Sequence, residues 1–193
     1  MTQMKLTDEL RLEYQTLWDT CEVDSSRQGI VEIMANSAFA NRARYQAVAS
    51  PLEIPWHFIA VVHSMESGQN FRKHLHNGDS LTARTVNVPS ERPVVGDPPF
   101  TWEQSAADAL VLKGLRSVSD WSRGAFLFQL ERYNGFGYRL FHPETLSPYL
   151  WSFTNHYSSG KYVSDGKWDP SAISKQVGAC AILKTLETLN DQG

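Results

Sequence analysis

Apolar residues return at helical spacing near the start of the chain, at Leu10, Tyr14, Leu17 and Trp18, and Thr7-Asp8 stands where a cap is needed. A second helical stretch is expected over Gln28 to Val48, with Pro51 interrupting it. Pro55 falls where the first turn of a third helix begins. The run Trp56, Phe58, Ile59, Val61, Val62, Met65, Glu66 carries that helix to Gly68, a natural C-terminal stop. The pattern then changes. Between Phe71 and Pro99 the prolines Pro89, Pro93, Pro98 and Pro99 argue against helix, and Asn77-Gly78-Asp79 signals a turn. The alternation from Leu81 to Val88 predicts a short strand or hairpin. Helical pattern resumes at Thr101, which forms a capping box with Gln104, and continues through Ala106, Ala109, Leu110 and Leu112. Another helix is expected over Ser119 to Tyr133, stopped by Asn134-Gly135. After a Tyr/Trp-rich connection from Tyr149 to Trp168, Asp169 as cap and Pro170 in the first turn predict a last helix reaching Leu189. These elements describe an α+β chain, predominantly α-helical, with one small β-hairpin insertion after the third helix.

Composition narrows the class. At 193 residues, with 41% hydrophobic and 20% charged residues, the chain suits one globular domain over 1–193, able to bury roughly 70% of its unfolded surface. A net charge of −3 leaves no electrostatic footprint for nucleic acid. No apolar run is long enough for membrane insertion. The polar stretch Met1 to Leu10 lacks signal-peptide character, so a cytoplasmic product without a signal peptide is expected, and as a monomer. Cys21 and Cys180 are expected as two reduced thiols, with no CxxC and no zinc pattern around them.

Glu66 is the first candidate for chemistry. On a helix it shares a face with Val62 and Ile59, the face the helix should bury. Desolvation of a carboxyl group raises its pKa, as a general acid at neutral pH requires. A helix-end Glu paired with Arg72, Lys73 or Arg84 is the plain alternative. His63, His74 and His76 lie nearby in sequence, but no HExxH pattern accompanies them, and hydrogen-bonding roles are expected rather than metal binding. No G-x-S-x-G elbow and no phosphate loop is present, and no cofactor is expected.

Met65-Glu66-Ser67-Gly68-Gln69-Asn70-Phe71 resembles the Glu-Ser motif of soluble lytic transglycosylases and goose-type lysozymes. Glu131-Arg132-Tyr133-Asn134-Gly135-Phe136-Gly137-Tyr138 resembles the Tyr-Asn-Gly segment that lines the sugar cleft in that lysozyme-like superfamily. The two occur in the family's order, and the overall character is similar to phage endolysins without export signals. The Gly-Leu-Met-Gln-like run of the transglycosylases is replaced here by the segment His74 to Thr85.

The resemblance implies a lysozyme-like fold with a glycan cleft between the segment after Glu66 and the Tyr133 region. It implies a catalytic Glu66, which protonates the glycosidic oxygen between N-acetylmuramic acid and N-acetylglucosamine in bacterial peptidoglycan strands. Glycoside hydrolysis commonly uses a second carboxylate. Asp79 is the candidate, to stabilise the developing positive charge or, with Thr85, to position water; Asp97 is its rival. His76, Thr82, Tyr133, Asn134, Trp151 and Tyr157 are expected to bind the substrate, with Asn155 and Tyr162 in the same polar-aromatic stretch. An endolysin would wait in the cytoplasm until a holin opened the membrane. A lytic transglycosylase, a non-catalytic glycan-binding or structural phage protein, and a chitinase-like glycosidase are the alternatives.

Overall fold

The computed structural model describes residues 4–164 and 166–192. Among them lie nine α-helices and one two-stranded antiparallel sheet, so the protein is α+β and predominantly helical. The chain divides into two compact units, one formed by the residues through Ala35 together with those from Asp120 onward, the other by Asn36–Ser119.

In the first unit, α1 (Asp8–Asp19) begins as expected, with Thr7 Oγ1 accepting from the Leu10 N–H at 3.2 Å. It packs on α6 (Arg123–Asn134), which is buried from Gly124 through Glu131 and again at Tyr133. Gly124 permits that approach: a Cβ there would stand 2.5 Å from the Arg11 carbonyl oxygen. The Arg123 guanidinium lies 4.1 Å over the Trp18 ring and reaches Glu187 at 2.7 Å. The expected start at Ser119 shifts to Arg123. The Asn-Gly stop holds, because Gly135 takes φ 102° as the C-cap. Short helices α7 (Gly137–Phe141) and α8 (Pro148–Trp151) follow.

The sheet pairs β1 (Lys161–Ser164) with β2 (Lys167–Asp169), Tyr162 opposite Trp168. The hairpin thus lies late in the chain, not after the Glu66 helix. Asp169 ends β2, and its Oδ1 accepts from the N–H groups of Ser171 at 2.9 Å and Ala172 at 3.2 Å. Asp169-Pro170 therefore makes a turn, not the expected helix start. The last helix, α9, is Ala179–Gln192. It packs against α8 through Gly178, whose Cβ would stand 2.4 Å from the Ser152 carbonyl oxygen. Cys21 and Cys180 are both buried free thiols.

In the second unit, the expected single helix over Gln28 to Val48 is two. The first, α2 (Gln28–Ala40), begins in the first unit and ends at Asn41, whose side-chain amide donates to the Ser37 carbonyl at 2.9 Å. The second, α3 (Arg42–Leu52), contains Pro51 in its last turn, and its C-cap is Glu53 in the left-handed conformation. Next comes α4 (Trp56–Ser67), with Pro55 as its N-cap and Gly68, at φ 58°, as its C-cap. Both halves of the Thr101–Gln104 capping box form, at 3.1 and 2.9 Å, and open α5 (Trp102–Leu112). A 3-10 turn, Leu115–Ser117, follows.

Residues Leu81 to Val88 form no strand; the isolated bridge from Lys73 to Ser80 lies just before them. Among the described residues, no helix is long and apolar enough to cross a membrane.

Candidate functional site

The helix carrying Glu66 is buried along its middle and packs on α3. Phe58 through Met65 are buried without interruption. His63 donates or accepts at Nδ1 with the Tyr45 hydroxyl at 3.0 Å, and its ring packs on Phe71 and Trp102 at 4.7 and 4.5 Å. Burial pushes the His63 pKa down to about 4, so the ring is neutral at physiological pH. Glu66 itself is exposed, in contrast to Ile59 and Val62 on the expected buried face. The expectation of a desolvated carboxylate is corrected: Glu66 sits in the last turn, two residues before Gly68 ends the helix, where the core no longer covers it.

The chain after α4 holds its shape through side chains rather than sheet pairing. Asp79 accepts from the backbone N–H groups of Val86 and Asn87 at 2.8 and 3.0 Å, and from the side-chain amides of Asn87 and Asn77 at 2.7 and 3.1 Å. These bonds, the backbone donors first, hold the Asp79 carboxyl at about 2. Asp79 is therefore an ionised carboxylate across the working pH range, suited to electrostatic stabilisation and unsuited to taking a proton.

Thr85 does not have the role expected of it. It is 1% exposed, its hydroxyl donates to the Pro89 carbonyl at 2.5 Å, and it accepts from the Arg92 N–H at 2.9 Å. A hydroxyl engaged at both ends and closed to solvent cannot orient a water. His76 is also corrected from a substrate-binding role. Its side chain is wholly covered, Nε2 lies 2.7 Å from Asp108 Oδ2, and Nδ1 lies 3.4 Å from Ser105 Oγ. Asp108 in turn binds Arg92 through two hydrogen bonds, at 2.8 and 2.9 Å. His74, fully buried, joins Ser105 Oγ and the Ala83 carbonyl, each at 2.8 Å. The two histidines fasten the loop to α5, as hydrogen-bonding residues. Among the described residues, no cluster of three His, Cys, Asp or Glu side chains could hold a metal ion. Arg84 ties the far end of the loop, donating to the carbonyls of Pro93 and Gly96 and lying 3.5 Å from Asp97, which is almost fully exposed. Thr82 stays exposed, with its hydroxyl 2.9 Å from Ser80 Oγ.

Glu66, Asp79 and Thr82 belong to the Asn36–Ser119 unit, and Tyr133, Asn134, Trp151 and Tyr157 to the other. Tyr133 is buried and Asn134 exposed at the end of α6. Trp151 is 1% exposed and presents no ring face for a sugar to stack on, contrary to expectation; its indole is core. Tyr157 is half-buried, and its hydroxyl donates to the Gly160 carbonyl and accepts from the Ser174 N–H, both at 3.1 Å, which gives it a loop-holding role in place of the expected substrate contact.

Two groups escaped the sequence reading. Ser105 and Asp108 stand one helical turn apart on α5, a spacing that puts both on one face. Glu131, in the second motif, is a buried carboxylate on a helix buried nearly all round. No protein-family model, curated protein or solved structure matches the chain.

Proposed function

We propose that the protein is a lysozyme-like peptidoglycan hydrolase, an endolysin-type muramidase that cleaves between N-acetylmuramic acid and N-acetylglucosamine with Glu66 as general acid. The observation that carries this reading is the setting of Glu66. It is the first exposed side chain after eight buried residues, on the last turn of a rigid helix, followed at once by a loop locked by its own side chains. A carboxyl group at a helix end can reach a glycosidic oxygen, and the glycan closing over it would supply the desolvation that keeps an acid protonated.

In the proposed reaction the bond between the anomeric carbon and the bridging oxygen breaks. The oxygen takes the Glu66 proton, and water supplies the hydroxyl to the anomeric carbon and returns a proton to the protein. The Asp79 carboxylate, held ionised, stabilises the positive charge on the sugar. Thr82, exposed in the unit that carries Glu66 and Asp79, is the remaining candidate for substrate contact. An enzyme of this type would reach the wall by release through a holin.

Incubation with purified peptidoglycan and with chitin oligomers tests the proposal. Muropeptides with reducing muramic acid ends are expected. Anhydro ends would replace hydrolysis by transglycosylation, cleavage of chitin alone would move the substrate, and no products from either would leave a non-catalytic role.

A further inference from the structure

In the unit that contains α1 and α6, a cavity of about 340 Å³ opens among Glu13, Glu131, Arg139, Pro143, Thr145 and Leu146. Small-ligand sites typically occupy roughly 300–1,000 Å³. The charged wall is a guanidinium set between two carboxylates. Arg139 Nη1 donates to Glu13 Oε1 at 2.9 Å, and Nη2 to Glu131 Oε2 at 3.2 Å. The Tyr14 hydroxyl donates to the same oxygen of Glu131. Burial works against the Arg139 charge, but the Glu131 and Glu13 carboxylates outweigh it and hold the Arg139 pKa above its ordinary value. Two carboxylates against one guanidinium leave this wall with an excess of one negative charge.

The hydrogen bonds are equally one-sided. A carboxylate has about four acceptor positions over its two oxygens. Both bonds to the Glu131 side chain end on Oε2; among the described residues, Oε1 accepts none and is not sealed from solvent. The Glu131 side chain is 3% exposed and lines the cavity, so water reaches this oxygen poorly and a donor inside the cavity is favoured. The Glu13 side chain, 44% exposed, adds an open carboxylate on the same wall. The missing partner is therefore a cation with several N–H donors. Among the described residues, no third carboxylate, imidazole or thiol joins these two to hold a metal ion. An ammonium group carries three donors and the one positive charge that the wall lacks. Pro143 and Leu146 offer an apolar side to the methylene groups that would carry it.

We propose that this cavity binds a primary ammonium group on an aliphatic chain. The ammonium donates to Glu131 Oε1 and to the Glu13 carboxylate, and the methylene groups lie against Pro143 and Leu146. Such a group arrives either on a free alkylamine or on the lysine side chain of a peptide. The site stands on the cavity alone and needs nothing from the reaction proposed above.

The test is a titration of the full chain, followed by amide NMR. The probes are n-butylammonium, its neutral isostere 1-butanol, and tetramethylammonium, which has the charge but no N–H. Only n-butylammonium is expected to shift the Glu13, Thr145 and Leu146 resonances. N-acetyl-lysine N-methylamide separates the sources: binding tighter than that of n-butylammonium assigns the site to a peptide lysine, and equal or weaker binding assigns it to a free amine. Glu13→Gln, at an exposed position, is expected to keep the fold and weaken n-butylammonium binding about tenfold. Glu131→Gln, checked by its melting curve, is expected to weaken it further. The proposal is overturned if n-butylammonium shifts none of these resonances, if 1-butanol or tetramethylammonium binds as well, or if Glu13→Gln binds unchanged. Peptidoglycan cleavage without amine binding removes this site and keeps the function; amine binding without cleavage does the reverse.

Discussion

Asp79 and Asn87 are joined twice: Oδ1 of Asp79 accepts from the Asn87 side-chain amide at 2.7 Å, and Oδ2 accepts from its backbone N–H at 3.0 Å. The pair closes the irregular stretch from Asp79 to Asn87, which has no sheet ladder to stabilise it. The same bonds keep the carboxylate ionised and fix its position.

The acid limb of stability follows from this. The Asp79 carboxyl is held at about 2, against an ordinary 3.8, so its stabilising contribution is complete above about pH 4 and is lost as pH falls through about 2. Asp79→Asn is expected to melt below wild type at pH 5, with the difference closing between pH 4 and 2. A carboxyl carbon titration by NMR with its midpoint near 3.8 would show that the loop bonds are not formed.

His63 acts in a higher window. Burial lowers its folded-state pKa to about 4, while the unfolded chain takes up the proton near 6.5. Stability is therefore full above about pH 6.5 and falls as pH drops to about 4, by a total on the order of 3 kcal/mol. His76, lowered chiefly by burial, acts in the same direction. Urea unfolding at pH 7 and pH 4.5 is expected to show a smaller pH penalty for His63→Gln than for wild type. Equal penalties would place the ring in contact with solvent.

Gly178 is a steric requirement. An alanine Cβ there would stand 2.4 Å from the Ser152 carbonyl oxygen and 2.7 Å from that of Leu150, both backbone atoms that cannot turn aside. Gly178→Ala is expected to cost about 1–3 kcal/mol in chemical unfolding. Gly29→Ala on α2 meets nothing within 4 Å and is expected to gain up to about 1 kcal/mol, which makes it the matched control.

Sequence pattern located what depends on neighbours along the chain. Thr7, the Thr101–Gln104 box and the Gly68 and Gly135 stops act within one helical turn, so their spacing announces them. It failed where the partner is remote or a signal has two uses. Asp169-Pro170 suits a helix start and a turn equally well, and here makes the turn. Alternation from Leu81 to Val88 suits a strand, but Asp79 takes the N–H groups of Val86 and Asn87, and the Thr85 N–H goes to the Arg92 carbonyl within the same loop. The hydroxyl of Thr85 and the ring of His76 have the right chemistry for a site, but spacing does not reveal that Arg92 and Asp108 consume them. The Glu13–Arg139–Glu131 cluster draws on three helices, beyond the reach of any local motif.

The most direct test of the catalytic assignment compares wild type with Glu66→Gln on purified peptidoglycan, with soluble glycan fragments identified by mass spectrometry and the variant shown to melt as wild type does. Fragments are expected from wild type, with a loss of at least about a hundredfold in the variant, since removal of a general acid typically costs 10²–10⁴ in rate. Equal release from both proteins, or release from neither, would contradict Glu66 as the acid of a peptidoglycan hydrolase.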